Sequence, residues 1–289
     1  MKISWIKHND ASWMDEAVDC IRDLGHEVVY NECDESFDIL FGATIGEQFK
    51  LVGLHRDNPS VPMVNYNWDV YEWAFRTWPT AIFPYDLNCY TWLLHESKSV
   101  FCPSMSVVHR NKEFFDIPHE KSKVVKSFAR QLDIKPEQVR DDRFVYMPLR
   151  QIPDRNIGWF EKAVEELDIP YLLSDKSLSE EEYAGKIASC SFLVCPWFEA
   201  STGGLSLLEG HKVGKPVLVS DSKYMGAADY FGGRANYFRH DSYEDFKAKI
   251  KELWDNTPVL DLEDCSSFCE EYTPEVMGEN LLRAFEEVL

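Results

Sequence analysis

Residues 194–221 read VCPWFEASTGGLSLLEGHKVGKPVLVSD, and the order of patterns in this stretch decides the fold. An apolar run ends at Pro196, a loop rich in small residues follows, a helical pattern begins near Leu205, and a second apolar run follows Gly214. This order predicts a strand, a loop, a helix and a second strand, which is the crossover unit of a parallel sheet. Because such a loop lies at the carboxyl edge of its sheet, its backbone N–H groups and the helix dipole can stabilise a phosphate there.

Two further features of this loop suit a nucleotide. Gly203 and Gly204 allow the backbone to approach a ligand closely. Glu209 lies about one turn into the predicted helix, where its carboxylate can accept hydrogen bonds from ribose hydroxyls. Glycine loops are common, so these residues alone leave two interpretations open: phosphate binding, or a loop packed with small residues beside a solvated glutamate.

Short apolar runs alternate with helical patterns along the rest of the chain. Predicted strands cover residues 3–7, 26–30, 37–41, 62–66, 100–103, 124–128, 144–149, 171–174, 192–196 and 216–219. Predicted helices cover residues 11–24, 85–96, 106–115, 156–167, 179–190, 205–213, 243–254, 262–272 and 274–288. Ser179 and Glu182 form a capping-box pattern. With a polar linker over residues 129–143, the alternation predicts an α/β protein with one parallel-sheet domain over residues 1–135 and a second over residues 143–273.

Composition and charge argue against several classes of protein. The 289 residues include 30 Lys and Arg against 50 Asp and Glu, and the net charge of −20 is spread over both halves, which argues against a dedicated nucleic-acid binder. With 45% apolar residues the chain is expected to fold, and no apolar run approaches the length of about 20 residues that spans a membrane. Eight scattered cysteines and an N-terminus without secretory character predict a reduced, cytoplasmic protein. No spacing of histidines or cysteines is typical of a metal site.

The run GLSLLEGHKVGKPVLVSD, residues 204–221, resembles the nucleotide-sugar segment of the retaining family-4 glycosyltransferases. The resemblance implies the GT-B fold, in which two Rossmann-like domains with parallel sheets face each other across a cleft. It also implies that a last helix, over residues 274–289, packs back on the N-terminal domain. In relatives, the backbone of this loop holds the donor diphosphate and the glutamate binds the donor ribose. On this sequence those positions are Gly203, Gly204, Leu205, Ser206 and Glu209.

A second match lies upstream, in FVYMPLRQIPDRNIGWFEKAVEEL at residues 144–167. It resembles the first strand of the family's C-terminal domain, which is followed by an arginine and a lysine. Arg150 occupies the position of the arginine and Arg155 that of the lysine. The resemblance implies that both neutralise the diphosphate leaving group, which an arginine can do with two parallel hydrogen bonds. Two surface arginines near a helix start are the alternative interpretation.

The sequence departs from the family pattern at two places. The family has a glutamate eight positions before its ribose-binding glutamate, where this chain has Ser201. Glu199, two positions earlier, is the candidate for contact with the donor sugar, and a loop carboxylate facing water is the alternative. The family often has a histidine after the strand that resembles residues 62–66. Here the candidates for the acceptor side are Asn67 and Asp69.

The resemblance implies a retaining glycosyltransferase that moves a hexosyl or related group from a nucleoside-diphosphate sugar, with UDP and GDP as the expected nucleotides. It implies no metal and no cofactor. A glycan, a lipid or a small molecule is favoured as acceptor over DNA because of the acidic charge. A sugar-nucleotide epimerase or hydrolase on the same fold, and a non-catalytic sugar-nucleotide-binding protein, stay open as alternatives. Residues 110–130 carry a local net charge of +3, from six basic and three acidic side chains, and an ordinary solvated surface is favoured there over membrane contact.

Overall fold

The computed structural model describes residues 1–7, 14–43, 48–68, 86–148, 156–174, 178–196 and 204–289. The chain forms two compact units. The first unit contains Met1–Phe128 together with Pro274–Leu289, and the second contains Ala129–Thr273. Each is built on a parallel sheet, so the predicted α/β class and the two Rossmann-like domains are confirmed.

The sheet of the first unit contains six parallel strands in the order β2-β1-β3-β4-β5-β6. Ile3 on the inner strand pairs with Val28 on one side and with Ile39 on the other. Every residue of β4 and β5 is buried, as expected for strands covered on both faces. The strands are β1 Lys2–Ile6, β2 Glu27–Tyr30, β3 Ile39–Ala43, β4 Met63–Tyr66, β5 Ser99–Cys102 and β6 Ser122–Val124.

The sheet of the second unit contains five parallel strands in the order β11-β10-β9-β7-β8. Val145 pairs with Tyr171 on one side and with Phe192 on the other, so β7 lies between β8 and β9. The strands are β7 Val145–Met147, β8 Tyr171–Leu173, β9 Phe192–Cys195, β10 Val217–Ser220 and β11 Asn236–Phe238.

Helices cover the sheets of both units. We number those in the described residues along the chain: α1 Asp15–Asp23, α2 Gln48–Asp57, α3 Leu87–Glu96, α4 Met105–Phe115, α5 Ile157–Glu166, α6 Glu180–Ser189, α7 Leu205–Lys212, α8 Ala227–Phe231, α9 Tyr243–Asp255, α10 Leu262–Cys269 and α11 Pro274–Glu286. The predicted capping box is present at the start of α6, where Ser179 and Glu182 bond reciprocally. None of these helices is long and apolar enough to cross a membrane.

The last helix, α11, belongs to the core of the first unit. A Cβ atom on Gly278 would lie 3.2 Å from the carbonyl oxygen of Ala17 on α1, so glycine allows the two helices to pack closely. Farther along α11, the ring of Phe285 lies 5.2 Å from that of Phe41 and 5.5 Å from that of Phe101. The chain thus returns to the first unit after completing the second.

The prediction of a strand over residues 124–128 is wrong. Strand β6 ends at Val124, and beyond it the N–H of Val125 donates one more hydrogen bond to the carbonyl of Cys102 at 2.8 Å. Val125 and Phe128 are buried beyond the end of β6, so their apolar character indicates core packing and not a continued strand. The predicted linker, residues 129–143, belongs to the second unit, which begins at Ala129.

Candidate functional site

The strand order of the second sheet makes the edge between β7 and β9 the candidate position for a ligand. The chain leaves β7 toward β8 on one side and returns to β9 on the other, and ligands of open α/β sheets bind at the carboxyl ends of strands where the order reverses. The segments that follow these two strands, residues 149–155 and 197–203, lie outside the described residues. They contain the predicted site residues Arg150, Arg155, Glu199 and Gly203.

The structure describes the predicted phosphate loop from Gly204 onward. The φ of Gly204, +135°, lies in a region that side chains disfavour, and a Cβ there would lie 3.0 Å from a terminal carbon of Leu207. Its carbonyl accepts the first hydrogen bonds of α7, from the N–H groups of Leu207 at 2.9 Å and Leu208 at 3.0 Å. The N–H groups of Leu205 and Ser206 precede Leu207, the first intrahelical donor, so the start of α7 can stabilise an anion at this edge of the sheet.

Glu209 is buried, with its side chain 2% exposed, and both carboxylate oxygens are engaged within the second unit. Oε1 accepts from Nε of Arg130 at 2.9 Å, and Oε2 accepts from the hydroxyl of Tyr183 at 2.6 Å. The backbone N–H of Arg130 also donates to the carboxylate. Burial raises the pKa of Glu209 above its ordinary value, and the contacts with Arg130 and Tyr183 oppose that rise. These three contacts use three of about four acceptor positions of a carboxylate.

The partners of Glu209 form a connected group with the first turn of α7. Tyr183 on α6 is buried, and its hydroxyl also bonds to the hydroxyl of Ser206. Burial and the neighbouring Glu209 hold the pKa of Tyr183 well above its usual range, so it stays a neutral donor. The guanidinium of Arg130 lies 4.9 Å from the centre of the Tyr183 ring and is about half exposed. We call Arg130, Tyr183, Ser206 and Glu209 the Arg130 cluster.

Sequence reasoning missed two members of this cluster. Arg130 stood out only as one charge of the basic segment, and Tyr183 only lay within the helix predicted over residues 179–190. Arg130 and Glu209 are 79 positions apart, and Tyr183 and Glu209 are 26 apart. No local spacing connects them, and only the packing of α6 and of the segment after Ala129 against α7 does so.

Asn67, predicted as a candidate for the acceptor side, belongs to a buried hydrogen-bond network. Asn67 follows β4 and is fully buried. Its Oδ1 accepts from the hydroxyl of Tyr90 at 2.9 Å, and its Nδ2 donates to Oδ1 of Asn111 at 2.7 Å. Asn111 in turn donates to Sγ of Cys102 at 3.3 Å. The side-chain amide of Asn67 is thus bonded on both sides within a buried network. Asp69 lies outside the described residues.

The charges of the basic segment, residues 110–130, are largely engaged within their own units. Lys112 pairs with Asp116, the ammonium of Lys121 bonds to a backbone carbonyl, and Lys123 lies 2.5 Å from a carboxylate oxygen of Glu287. Arg110 is 1% exposed. This arrangement supports the interpretation of residues 110–130 as an ordinary solvated surface. In the described residues no group of three or more histidine, cysteine, aspartate and glutamate side chains is placed to hold a metal ion.

The chain as a whole was compared with known proteins. No protein-family model and no curated protein matches it. Solved structures do match, and for those described below the match covers nearly the full length of this chain and of the matched structure. A sucrose-phosphate synthase from Thermosynechococcus elongatus is 10% identical, with a TM-score of 0.75 and coverage of 100% of this chain and 99% of that one. The chain has the GT-B fold.

Two further solved structures agree with this assignment. A glycosyltransferase from Rickettsia africae ESF-5 is 12% identical, with a TM-score of 0.70 and coverage of 99% of this chain and 98% of that one. Anabaena HepE in complex with UDP-glucose is 12% identical, with a TM-score of 0.71 and coverage of 99% of this chain and 100% of that one. At such identities the likeness shows the GT-B fold alone.

Proposed function

We propose that this chain is a glycosyltransferase that moves a sugar from a nucleoside-diphosphate sugar to an acceptor, with retention of the anomeric configuration. One observation carries the proposal. In a chain with the GT-B fold, a helix N-terminus opened by Gly204 lies at the carboxyl edge of β9, and a buried glutamate, Glu209, follows one turn later. An anion-binding backbone and a carboxylate at this spacing suit the diphosphate and the ribose of one nucleotide.

On the donor side, the backbone from Gly203 to Ser206 would hold the diphosphate. Arg150 and Arg155 would neutralise its charge as it leaves, which gives electrostatic stabilisation of the transition state without a metal or a cofactor. Glu199 would contact the donor sugar, and Glu209 would accept a hydrogen bond from the ribose. UDP is the first nucleotide to test, because solved complexes of Anabaena HepE contain UDP and UDP-glucose, and GDP is the second.

On the acceptor side, the first unit would supply the contacts, with Asp69 as the candidate residue. A glycan, a lipid or a small molecule fits the net charge of −20 better than DNA does. A cytoplasmic reaction is consistent with the eight cysteines, no two of which are joined by a disulfide.

The proposal is tested by a thermal-shift titration with UDP, GDP, ADP and CMP and with their sugars, using the wild type and Glu209→Ala in parallel. A ligand that binds only the native state stabilises it by about 2.7 kcal/mol at 100 times its dissociation constant. We expect one nucleotide to raise the Tm of the wild type and to lose most of that effect in Glu209→Ala. No shift with any nucleotide would overturn the donor site.

Turnover then separates the reaction classes. Incubation of the donor with candidate acceptors is expected to yield a glycoside whose anomeric configuration, read by NMR, matches that of the donor. Consumption of the donor without an acceptor would indicate a hydrolase or an epimerase. Binding without turnover under any condition would indicate a non-catalytic nucleotide-sugar-binding protein.

A further inference from the structure

The Arg130 cluster places a buried carboxylate next to a half-exposed cation. Glu209 is 2% exposed at its side chain, whereas Arg130 is 49% exposed. The guanidinium therefore stays partly hydrated while it donates to the carboxylate at 2.9 Å. In such a pair the charged form of the carboxylate needs the cation for its stabilisation more than the cation needs the carboxylate. The reason is that only the carboxylate has lost its hydrating water.

Arg130 is the cation that faces Glu209 among the described residues. Of the groups presented by neighbouring elements, Tyr183 on α6 and Tyr146 on β7 are neutral, since burial raises the pKa of Tyr146 to about 12 and that of Tyr183 well above its usual range. On α10, burial likewise raises the pKa of the Cys269 thiol to about 12. One turn farther along α7, the ammonium of Lys212 bonds to the side chain of Gln131 instead.

Backbone hydrogen bonds on both sides of Arg130 fix its position in the second unit. The N–H of Ala129 donates to the carbonyl of Tyr272 at 3.0 Å, and the carbonyl of Arg130 accepts from the N–H of Leu132 at 3.2 Å. The guanidinium stacks over the ring of Tyr183. Backbone hydrogen bonds and the Tyr183 ring, all within the second unit, thus support the pairing of Arg130 with Glu209.

We infer that Arg130 and Tyr183 are positioning residues of the donor site, which keep Glu209 ionised and oriented so that its remaining acceptor position can take a hydrogen bond from the donor ribose. The inference rests on the proposed function, since it takes a nucleoside-diphosphate sugar as the ligand. It adds Arg130 and Tyr183, which belong to no sequence motif, to the donor site. It also predicts a dependence on pH that a purely structural ion pair would not show.

Binding of UDP-glucose, measured by calorimetry across a range of pH, tests the inference; the GDP-linked sugar replaces it if the thermal-shift titration selects GDP. At neutral pH we expect Arg130→Met to weaken binding by about tenfold or more, because a charge-assisted contact that orients the carboxylate is lost. The deficit is expected to shrink as the pH is raised from about 6 to about 8.5, since Glu209 without its cation needs a higher pH to ionise. A nucleotide sugar suits this test because its diphosphate has no proton that titrates near neutrality.

Three further variants serve as comparisons. Arg130→Lys keeps the charge and is expected to restore the pH profile of the wild type with a smaller loss of affinity. Tyr183→Phe removes one donor and is expected to weaken binding less than Arg130→Met. Arg140→Met is the matched control, because Arg140 pairs with the exposed Asp142 at 2.9 Å in the same unit, and we expect it to bind like the wild type.

The outcomes separate the inference from the proposed function. If the wild type binds no nucleotide sugar, the proposed function fails. If the wild type binds and Arg130→Met binds equally well at every pH, or loses the same factor at every pH, the inference fails. A double-mutant cycle gives an independent check: in a Glu209→Gln background, which has no charge to hold, Arg130→Met is expected to add no pH dependence.

Discussion

The two units place contrasting polar networks next to the carboxyl ends of their strands. In the first unit, Asn67, Tyr90, Cys102 and Asn111 form a neutral network, the Asn67 network, and every member that Asn67 touches is buried. In the second unit, the Arg130 cluster holds a charge pair, and Arg130 reaches solvent. The first network lies in the core and holds the chain where it leaves β4. In the second network a carboxylate keeps an unused acceptor position, to which a ligand can donate a hydrogen bond.

The largest effect on stability is expected from Asn67→Leu. This change removes the acceptor of the Tyr90 hydroxyl and the donor to Oδ1 of Asn111 within a buried network, at a cost of about 2–4 kcal/mol in the free energy of unfolding. Urea denaturation measures the loss. Tyr90→Phe, which removes one hydroxyl, serves as the milder companion at about 1 kcal/mol. If Asn67→Leu were as stable as the wild type, the Asn67 network would not be a source of stability in the first unit.

Gly204→Ala is expected to have the next largest effect. A methyl group at a φ of +135° strains the backbone and presses on Leu207, with an expected cost of about 1–2 kcal/mol. Because Gly204 opens α7, nucleotide binding is expected to fall as well. Urea denaturation and the thermal-shift titration read out the two effects. Gly233→Ala is a control, since nothing lies within 4 Å of its Cβ position and its φ is not positive. Equal behaviour of the two variants would contradict a special role for Gly204.

A smaller effect is expected in the pH dependence of stability. Burial raises the pKa of Glu209 above 4.5, so the folded state holds this proton more tightly than the unfolded chain does. The stability that this proton contributes is present below pH 4.5 and is lost as the pH rises through the raised pKa. Relative to Glu209→Gln, the wild type is therefore expected to lose stability over that interval, with a slope of at most about 1.4 kcal/mol per pH unit.

Denaturation of the wild type and Glu209→Gln at several pH values measures this difference. For variants of the neutral Asn67 network, the difference from the wild type in free energy of unfolding is expected to be the same at every pH. If the difference in free energy of unfolding between wild type and Glu209→Gln were also independent of pH, the contrast between a neutral and a charged network would fail.

The smallest effect is expected at the surface. Arg140→Met removes an exposed ion pair with Asp142, and such pairs contribute little because water already solvates both charges. We expect no measurable change in Tm at physiological salt. A clear loss would show that exposed pairs of the second unit stabilise it more than their solvation suggests.

Local patterns predicted much of this fold from the sequence. The strand, helix and strand around residues 192–220 were predicted to within a residue at most ends, because buried strands and a glycine-ended helix have distinct periodicities. The capping box at Ser179 was predicted from two side chains three positions apart. Helix α2 was missed, since Gly53 and scattered polar residues hide its apolar face, and α8 and β11 are too short to show a period.

The sequence by itself determined the α/β class, the two-part organisation and the position of a glycine-opened helix with Glu209 one turn into it. These are local properties, set by spacings of two to four residues along the chain. Only the tertiary structure decided that Asn67 is a core residue and that Arg130 and Tyr183 hold Glu209. The reason is physical: which distant side chains meet depends on strand order and helix packing, and burial then decides whether a polar group serves the fold or is left for a ligand.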